Sequence, residues 1–285
     1  MQEDRTCAGG ARSKQALRRN ASAFTASFTR FVGVTIGSIL MTSARSAEAT
    51  DGRSARAELL KVCGTLLRRS RYEEASQRCE QLMHAAPDWW KAHAMRARIL
   101  LEWGKDFGKH DYLELAVEAF DWTLEMIRHR TRDGGDSDVC EMATELIELH
   151  NDRGVALLEM SNLEQAKKAF FHALELHPSH DRALCNLGLV QWQEGHERVA
   201  LSTFDKAIAA NASNAHTLNN RGALRLERGE YEAALPDFHA AIALEPWYDV
   251  ARRNRNEALS ELSEPVPLSP VLDEQHEPQH RYPSS

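Results

Sequence analysis

The sequence has no run of eighteen uninterrupted apolar residues, which excludes a protein threaded repeatedly through a membrane. It has no surplus of basic charge: 35 Lys and Arg stand against 42 Asp and Glu, a formal net charge of -7. Phosphate recognition needs an excess of Lys and Arg, so nucleic acid is not the expected main partner. Cysteine is scarce, with five in 285 residues. That is too few for a disulfide framework, and the odd number leaves at least one unpaired. Glycine and proline are sparse as well, at 15 and 9. What is present is enough apolar material, 42% of residues, for a real core. The length fits one or two ordinary domains or one repeat array.

The two ends differ from the middle. Residues 1–50 carry seven basic and three acidic side chains, and the remainder carries 28 and 39. No acid lies between Asp4 and Glu48, an uncharged stretch runs from Phe31 to Met41, and Ala47-Glu48-Ala49 follows. A basic region, a short apolar region and small residues two apart are the parts of a cleavable export signal, which implies a periplasmic or secreted protein. The same stretch is rich in Arg, Ser and Ala, and Phe24, Phe28, Phe31, Ile36 and Ile39 share a rough helical face, the pattern of a mitochondrial presequence. A plain disordered tail, or a cytoplasmic protein whose translation starts at Met41, is the third reading. Residues 1–55 are therefore set apart as a basic targeting or disordered segment. At the other end, residues 263–285 hold prolines at 265, 267, 270, 278 and 283 without a sustained apolar period, and read as a disordered tail.

Between these ends the chain repeats itself. Residues 147–180, 181–214 and 215–248 align without gaps at a period of 34. Counting places within each copy, the eighth holds Gly154, Gly188 and Gly222, and the twentieth holds Ala166, Ala200 and Ala234. The twenty-fourth holds Phe170, Phe204 and Phe238, and the twenty-seventh Ala173, Ala207 and Ala241. Residues 56–89 keep the register with Cys63, Ala75, Cys79 and Leu82, and Pro87 matches Pro178 and Pro246. A copy beginning at Trp90 has Ala97 in place, but Ala116 and Phe120 fit only after seven extra residues. Small residues at fixed places let two antiparallel helices approach closely, an aromatic fills the gap, and proline stops the second helix. One such hairpin cannot stand alone, because ordering 34 residues costs about 50 kcal/mol, far more than one helix pair recovers by burial. Five stacked copies close the deficit.

These residues resemble the tetratricopeptide repeat family over about 56–262. The resemblance implies an all-α fold: an α-solenoid, or superhelix, of about five helix-turn-helix repeats with a C-terminal capping helix. The expected boundaries are repeats one and two at 56–130, an irregular junction and helix extension at 131–146, repeats three to five at 147–248 and the cap at 249–262. The second copy departs from the family by a loop around Gly104–Asp111 and by the lack of a terminating proline, the fourth by Ala212 in proline's place. The first departs by Cys63 and Cys79 in place of a small residue and an aromatic. Arg252, Arg253 and Arg255 suit a cap that faces water.

In this family the first helix of each repeat lines a concave groove through places two, five, six, nine and thirteen. The implied groove residues here are Asn151, Asp152, Arg182, Asn186, Leu189, His216, Asn219, Asn220, Arg253 and Asn254. Place six reads Asp152, Asn186, Asn220, Asn254. Each Asn offers one acceptor and two donors, so the three form a ladder suited to the backbone of an extended peptide, or else to hydrogen bonding between repeats. Three net hydrogen bonds of about 0.5–1.5 kcal/mol each fall short of the roughly 8 kcal/mol of micromolar binding, so side-chain pockets must supply the rest. Lys61, Arg68, Lys91 and Arg98 make the early groove basic against Glu102, while Glu148, Asp152, Glu159, Glu227 and Glu257 make the later groove acidic. Such an asymmetry would orient a peptide with its acidic end towards the first two copies. The carboxylate-clamp use of these repeats requires Lys, Asn and Arg at five places. Here those places hold Asn151, Val155, Asn186, His216 and Asn220, and only Asn186 fits.

Catalysis and metal binding find little support. Gly104 to His110 resembles a phosphate-binding loop but is one residue short, lacks Ser or Thr after Lys109 and sits in a helical pattern. His172, His177 and His180 lie near one turn without a completing ligand and read as surface histidines. Cys63 and Cys79 lie across one helix pair and read as buried small hydrophobes, or as a disulfide in an oxidising compartment. Trp89-Trp90 reads as packing between repeats. The expectation is a non-enzymatic scaffold for a protein or peptide partner, with no catalytic residue, metal, cofactor or small-molecule substrate. A co-chaperone for unfolded or C-terminal segments is the alternative, and the oligomeric state is left open.

Overall fold

The computed structural model describes residues 44–132 and 139–263. All of these that lie in regular structure are helical. The chain divides into two units, Met1–Ala55 and Arg56–Ser285. Of the first, only residues 44–55 are described, as helix; residues 1–43 and the tail after Ser263 lie outside the described residues, with the targeting and tail readings placed on them. The helices are α1 Ala44–Arg68, α2 Tyr72–Ala85, α3 Trp90–Phe107, α4 His110–Arg132, α5 Val139–Glu159 and α6 Leu163–Leu176. They continue with α7 Asp181–Gln193, α8 Glu197–Ala210, α9 Ala215–Glu227, α10 Tyr231–Leu244 and α11 Asp249–Ser263. None of them is long and apolar enough to cross a membrane.

Local signals set the ends. Asn162 caps α6 by accepting from the Gln165 amide, and Asn214 caps α9 by accepting from Thr217. Between the helices of a repeat the chain reverses through a left-handed residue at place fifteen: Ser70, Ser161, Gly195 and Gly229 have φ of 54°, 58°, 78° and 72°. The amide of the next residue then bonds the carbonyl five back, as in Asn162 to Leu157 at 2.9 Å and His196 to Gln191 at 2.8 Å. That bond satisfies a carbonyl at the helix end and turns the chain back on itself.

Within a repeat the helices meet at places eight and twenty-four. A Cβ on Gly154, Gly188 or Gly222 would fall 2.5, 2.6 or 2.7 Å from Cε1 of Phe170, Phe204 or Phe238, so these three sites admit only glycine without movement. The four phenylalanines Phe120, Phe170, Phe204 and Phe238 are fully buried. The core is a file of small clusters, each shared by neighbouring repeats. Leu157, Ala166, Ala169 and Phe170 of the third repeat join Leu187 and Val190 of the fourth, and Leu184, Ala200, Phe204 and Ala207 join Leu224 of the fifth. Burial is therefore supplied by stacking.

Repeat two corrects the expected loop around Gly104–Asp111. Helix α3 runs on to Phe107 and α4 begins at His110, so the extra residues mainly lengthen the helices. Trp103 on this extension stacks with Tyr72 at 6.0 Å and packs on Tyr112 at 4.6 Å, which covers the added turn. The helix of the first repeat also starts earlier than the register at residue 56, at Ala44.

Each helix from α2 onward packs on the next, and α3, α5, α7 and α9 also touch the following first helix. Among the described residues no such contact joins second helices. The first helices are therefore closer together than the second ones, and they form the inner wall of the stack.

Candidate functional site

The inner wall is built from places two, six and nine of successive first helices, with place five behind them. Asn151, Cys185 and Asn219 occupy place five and are 0%, 5% and 4% exposed. Each accepts a hydrogen bond from place six of the next repeat. Asn186 Nδ2 donates to Asn151 Oδ1 at 3.0 Å, Asn220 Nδ2 to Cys185 Sγ at 3.4 Å, and Asn254 Nδ2 to Asn219 Oδ1 at 3.0 Å. The three place-six asparagines are half-buried, and their carboxamide oxygens accept nothing among the described residues. Beside them Leu189 and Val155 at place nine are half-buried apolar surface. Asn151 and Asn219 thus stand behind the wall, while Arg182 and His216 at place two are exposed, as is Arg253 at place five of the last helix, which no further repeat covers.

The expected electrostatic gradient is largely paired off within the wall. Arg98 binds Asp152 through Nε at 2.9 Å and Glu145 through Nη2 at 2.8 Å. Burial opposes the Arg98 charge, but Asp152 and Glu145 outweigh it and hold its pKa up. Arg182 bridges Glu148 at 2.7 Å and Asp152 at 3.4 Å, and Lys91 meets Glu141 at 2.5 Å. The hydrogen bond from His180, followed by the Arg182 charge, holds the Glu148 carboxyl below its ordinary range despite burial. His216 meets the Tyr248 hydroxyl at 3.0 Å with the rings in a T arrangement. The basic and acidic stretches that spacing separates are joined in space into one network across α3, α5 and α7.

The family model for the tetratricopeptide repeat matches residues 181–214, helices α7 and α8. The chain contains a tetratricopeptide repeat (TPR), and its helical pairs stack as those of TPR proteins do. Among solved structures it is similar to TTC0263, described as a thermophilic TPR protein in Thermus thermophilus. The identity is 19% and the TM-score 0.54, over 72% of this chain and 99% of that one. This likeness shows the fold. Two further matches are YrrB, described as a TPR protein with an unusual peptide-binding site, and the first TPR of Spaghetti (RPAP3) bound to the HSP90 peptide SRMEEVD. YrrB is 16% identical with a TM-score of 0.45, over 76% of this chain and 100% of that chain. The RPAP3 domain is 19% identical with a TM-score of 0.40, over 42% and 95%. No curated protein matches the chain.

Elsewhere in the chain the three histidines are drawn to separate partners. His172 meets Glu175 at 3.2 Å, His180 caps the Ala183 amide and meets Glu148, and the His177 and His180 rings lie 6.0 Å apart. Among the described residues no group of three His, Cys, Asp or Glu side chains converges as a metal site would require. Gly104 to His110 is the end of α3, a two-residue turn with Gly108 left-handed, and the first residue of α4. Trp90 is buried with Lys91 Nζ 5.4 Å from its ring, and Trp89 lies under Arg56 at 5.8 Å. A hollow of about 570 Å³ beside Trp90 is lined by Trp122, Met126, Asp88 and Glu125.

One device escaped the sequence reading. Arg153 and Arg221 occupy place seven and reach back to the second helix of the preceding repeat, Arg153 to Asp121 at 2.6 Å and Arg221 to Asp205 at 2.7 Å. Both aspartates directly follow the phenylalanine of place twenty-four, a recurrence visible in the residues once the partners are known.

Proposed function

We propose that this protein is a non-enzymatic scaffold which holds an extended segment of a partner protein along its inner wall. The observation that carries the reading is the row of Asn186, Asn220 and Asn254. Each is pinned by one N–H to the helix before it, so its remaining N–H and carbonyl oxygen are held in a fixed orientation. Amides so oriented suit the alternating donors and acceptors of a peptide backbone and lose little side-chain entropy on binding. Arg182, Leu189, His216 and Arg253 flank the row and supply contacts to side chains. A clamp for a terminal carboxylate is not part of this reading, since Asn151 is buried and Val155 and His216 offer no paired cations. Free-acid and amidated forms of a bound peptide are expected to bind alike, and a large loss on amidation would favour the co-chaperone reading.

The test is selection of peptides on the full-length protein from a random display library, followed by titration of a selected peptide against Asn186→Ala with Asn220→Ala. Loss of two net hydrogen bonds predicts a weakening of about 5- to 150-fold. Unchanged affinity in a double variant with native circular dichroism refutes the ladder.

A further inference from the structure

Places eight and twenty-four mark the closest approach of the helices in a repeat, as the contacts of Gly154, Gly188 and Gly222 with Phe170, Phe204 and Phe238 show. The first repeat carries Cys63 and Cys79 at these same two places, with the same spacing of 16 residues. Both are 0% exposed and lie in one cluster with Ala75, Leu82, Ala92 and Ile99. Both are free thiols. Two sulfurs therefore occupy the gap that an aromatic ring fills elsewhere. A disulfide needs Cβ atoms about 3.5–4.5 Å apart, so it requires a close helix approach of the kind these places make in the other repeats. Cys185 sits at place five of repeat four in a different cluster.

The two thiols differ. Cys79 donates its S–H to the Ala92 carbonyl at 3.1 Å, and its contact with Cys63 together with burial pushes its pKa up. Contact with Cys79, aided by the Arg78 charge, brings Cys63 down against the effect of burial. Cys79 keeps its proton on the Ala92 carbonyl, so Cys63 takes the nucleophile's part.

We propose that Cys63 and Cys79 form a dithiol–disulfide site that, on oxidation by hydrogen peroxide, ties α1 to α2 in the first repeat. The Cys63 thiolate attacks one peroxide oxygen, the O–O bond breaks, hydroxide leaves, and Cys63 becomes a sulfenic acid. The Cys79 sulfur then attacks the Cys63 sulfur, the S–O bond breaks, and the hydroxyl leaves as water with the Cys79 proton. The second water forms from the released hydroxide and the proton given up when Cys63 ionised, so two thiols and one peroxide yield one disulfide and two waters. Local opening of the hairpin admits the oxidant, and the new bond opposes that opening.

Full-length protein, reduced or treated with equimolar peroxide, is denatured, alkylated and digested with trypsin. The expected product is a covalent pair of Val62–Arg68 with Cys79–Lys91 that separates on reduction. The melting temperature is expected to rise by several degrees on oxidation. The variant Cys63→Gly with Cys79→Phe, which installs the residue pair of the other repeats, is expected to fold and to lose that redox dependence. Recovery of both cysteines alkylated or as sulfinic acids, or linked to Cys7, Cys140 or Cys185, overturns the proposal. So does a linked pair with an unchanged melting temperature.

Discussion

Asn254 donates to Asn219 Oδ1 across 3.0 Å and 35 residues, and the bond from Asn186 to Asn151 repeats that distance and that separation. Each joins one first helix to the one before it, at a place where the acceptor is buried and would otherwise be unsatisfied. Between them, Asn220 finds only the weaker acceptor Cys185 Sγ at 3.4 Å. One polar row thus serves the stack with one N–H and leaves its other polar atoms on the inner wall.

Unequal acceptors imply unequal costs. Asn186→Ala strands the buried Asn151 oxygen and is expected to lower stability by about 1–3 kcal/mol, whereas Asn220→Ala leaves only a thiol behind and should cost less than about 1 kcal/mol. Urea unfolding of the two single variants checks this. Equal costs would mean that the buried oxygen of Asn151 is satisfied in some other way.

Gly188→Ala places a methyl group 2.6 Å from Phe204 Cε1, inside a fully buried ring. Overpacking of this kind costs about 1–3 kcal/mol and outweighs the gain of up to about 1 kcal/mol in helix propensity. At Gly64 the nearest atoms, on Arg68 and Met95, are 3.7 and 3.8 Å away, so Gly64→Ala is expected to be neutral or stabilising. Pairing Gly188→Ala with Phe204→Leu should recover part of the loss in a double-mutant cycle.

Asp237 is 3% exposed and is bound by Arg221 at 2.5 Å and Arg225 at 2.8 Å. Asp237→Ala leaves two guanidinium groups without their buried counter-charge and is expected to cost about 3–5 kcal/mol. Asp121 is half exposed at its side chain, and Asp121→Ala should cost less than about 1 kcal/mol even though its bond to Arg153 is as short. Calorimetric melting distinguishes the two.

Burial, then the neighbouring His172 and Arg153, lowers His150 from 6.5 to about 4. Above 6.5 the imidazole is neutral folded or unfolded and contributes nothing to pH dependence. Between 6.5 and about 4 the unfolded chain takes up a proton that the folded one refuses, so stability falls as pH falls, by at most about 3 kcal/mol and less where solvent screens the half-buried ring. Glu148 adds a loss of the same sign, since its lowered carboxyl must be protonated in acid. His150→Leu is expected to flatten the profile of melting temperature from pH 6.5 to 4. An unaltered slope in that variant would show that other groups carry the acid sensitivity.

The repeat was legible because its signal is local and recurrent. Gly188 and Phe204 are recognisable by type and spacing alone, and so are Asn186 and Asn220. The groove charges were not. Arg98 reads as a free cation in the sequence, yet it meets Glu145 and Asp152 on α5. The masking residues lie on α5, on the far side of the sequence break at 131–136, across which the 34-residue period cannot be carried. Likewise, place five and place six look alike as asparagines, and only the packing of one first helix on the next buries Asn151 while leaving Asn186 half exposed.

Residue spacing alone set the number of hairpins, the close glycine–phenylalanine approach and the row of amides, because each depends on side-chain size and type at a fixed interval along one helix pair. Which amides reach the inner wall and which charges cancel were decided by contacts between segments 30 to 54 residues apart. Those contacts depend on how far neighbouring helices rotate and slide as they stack, and that is settled by the packing of all the repeats together.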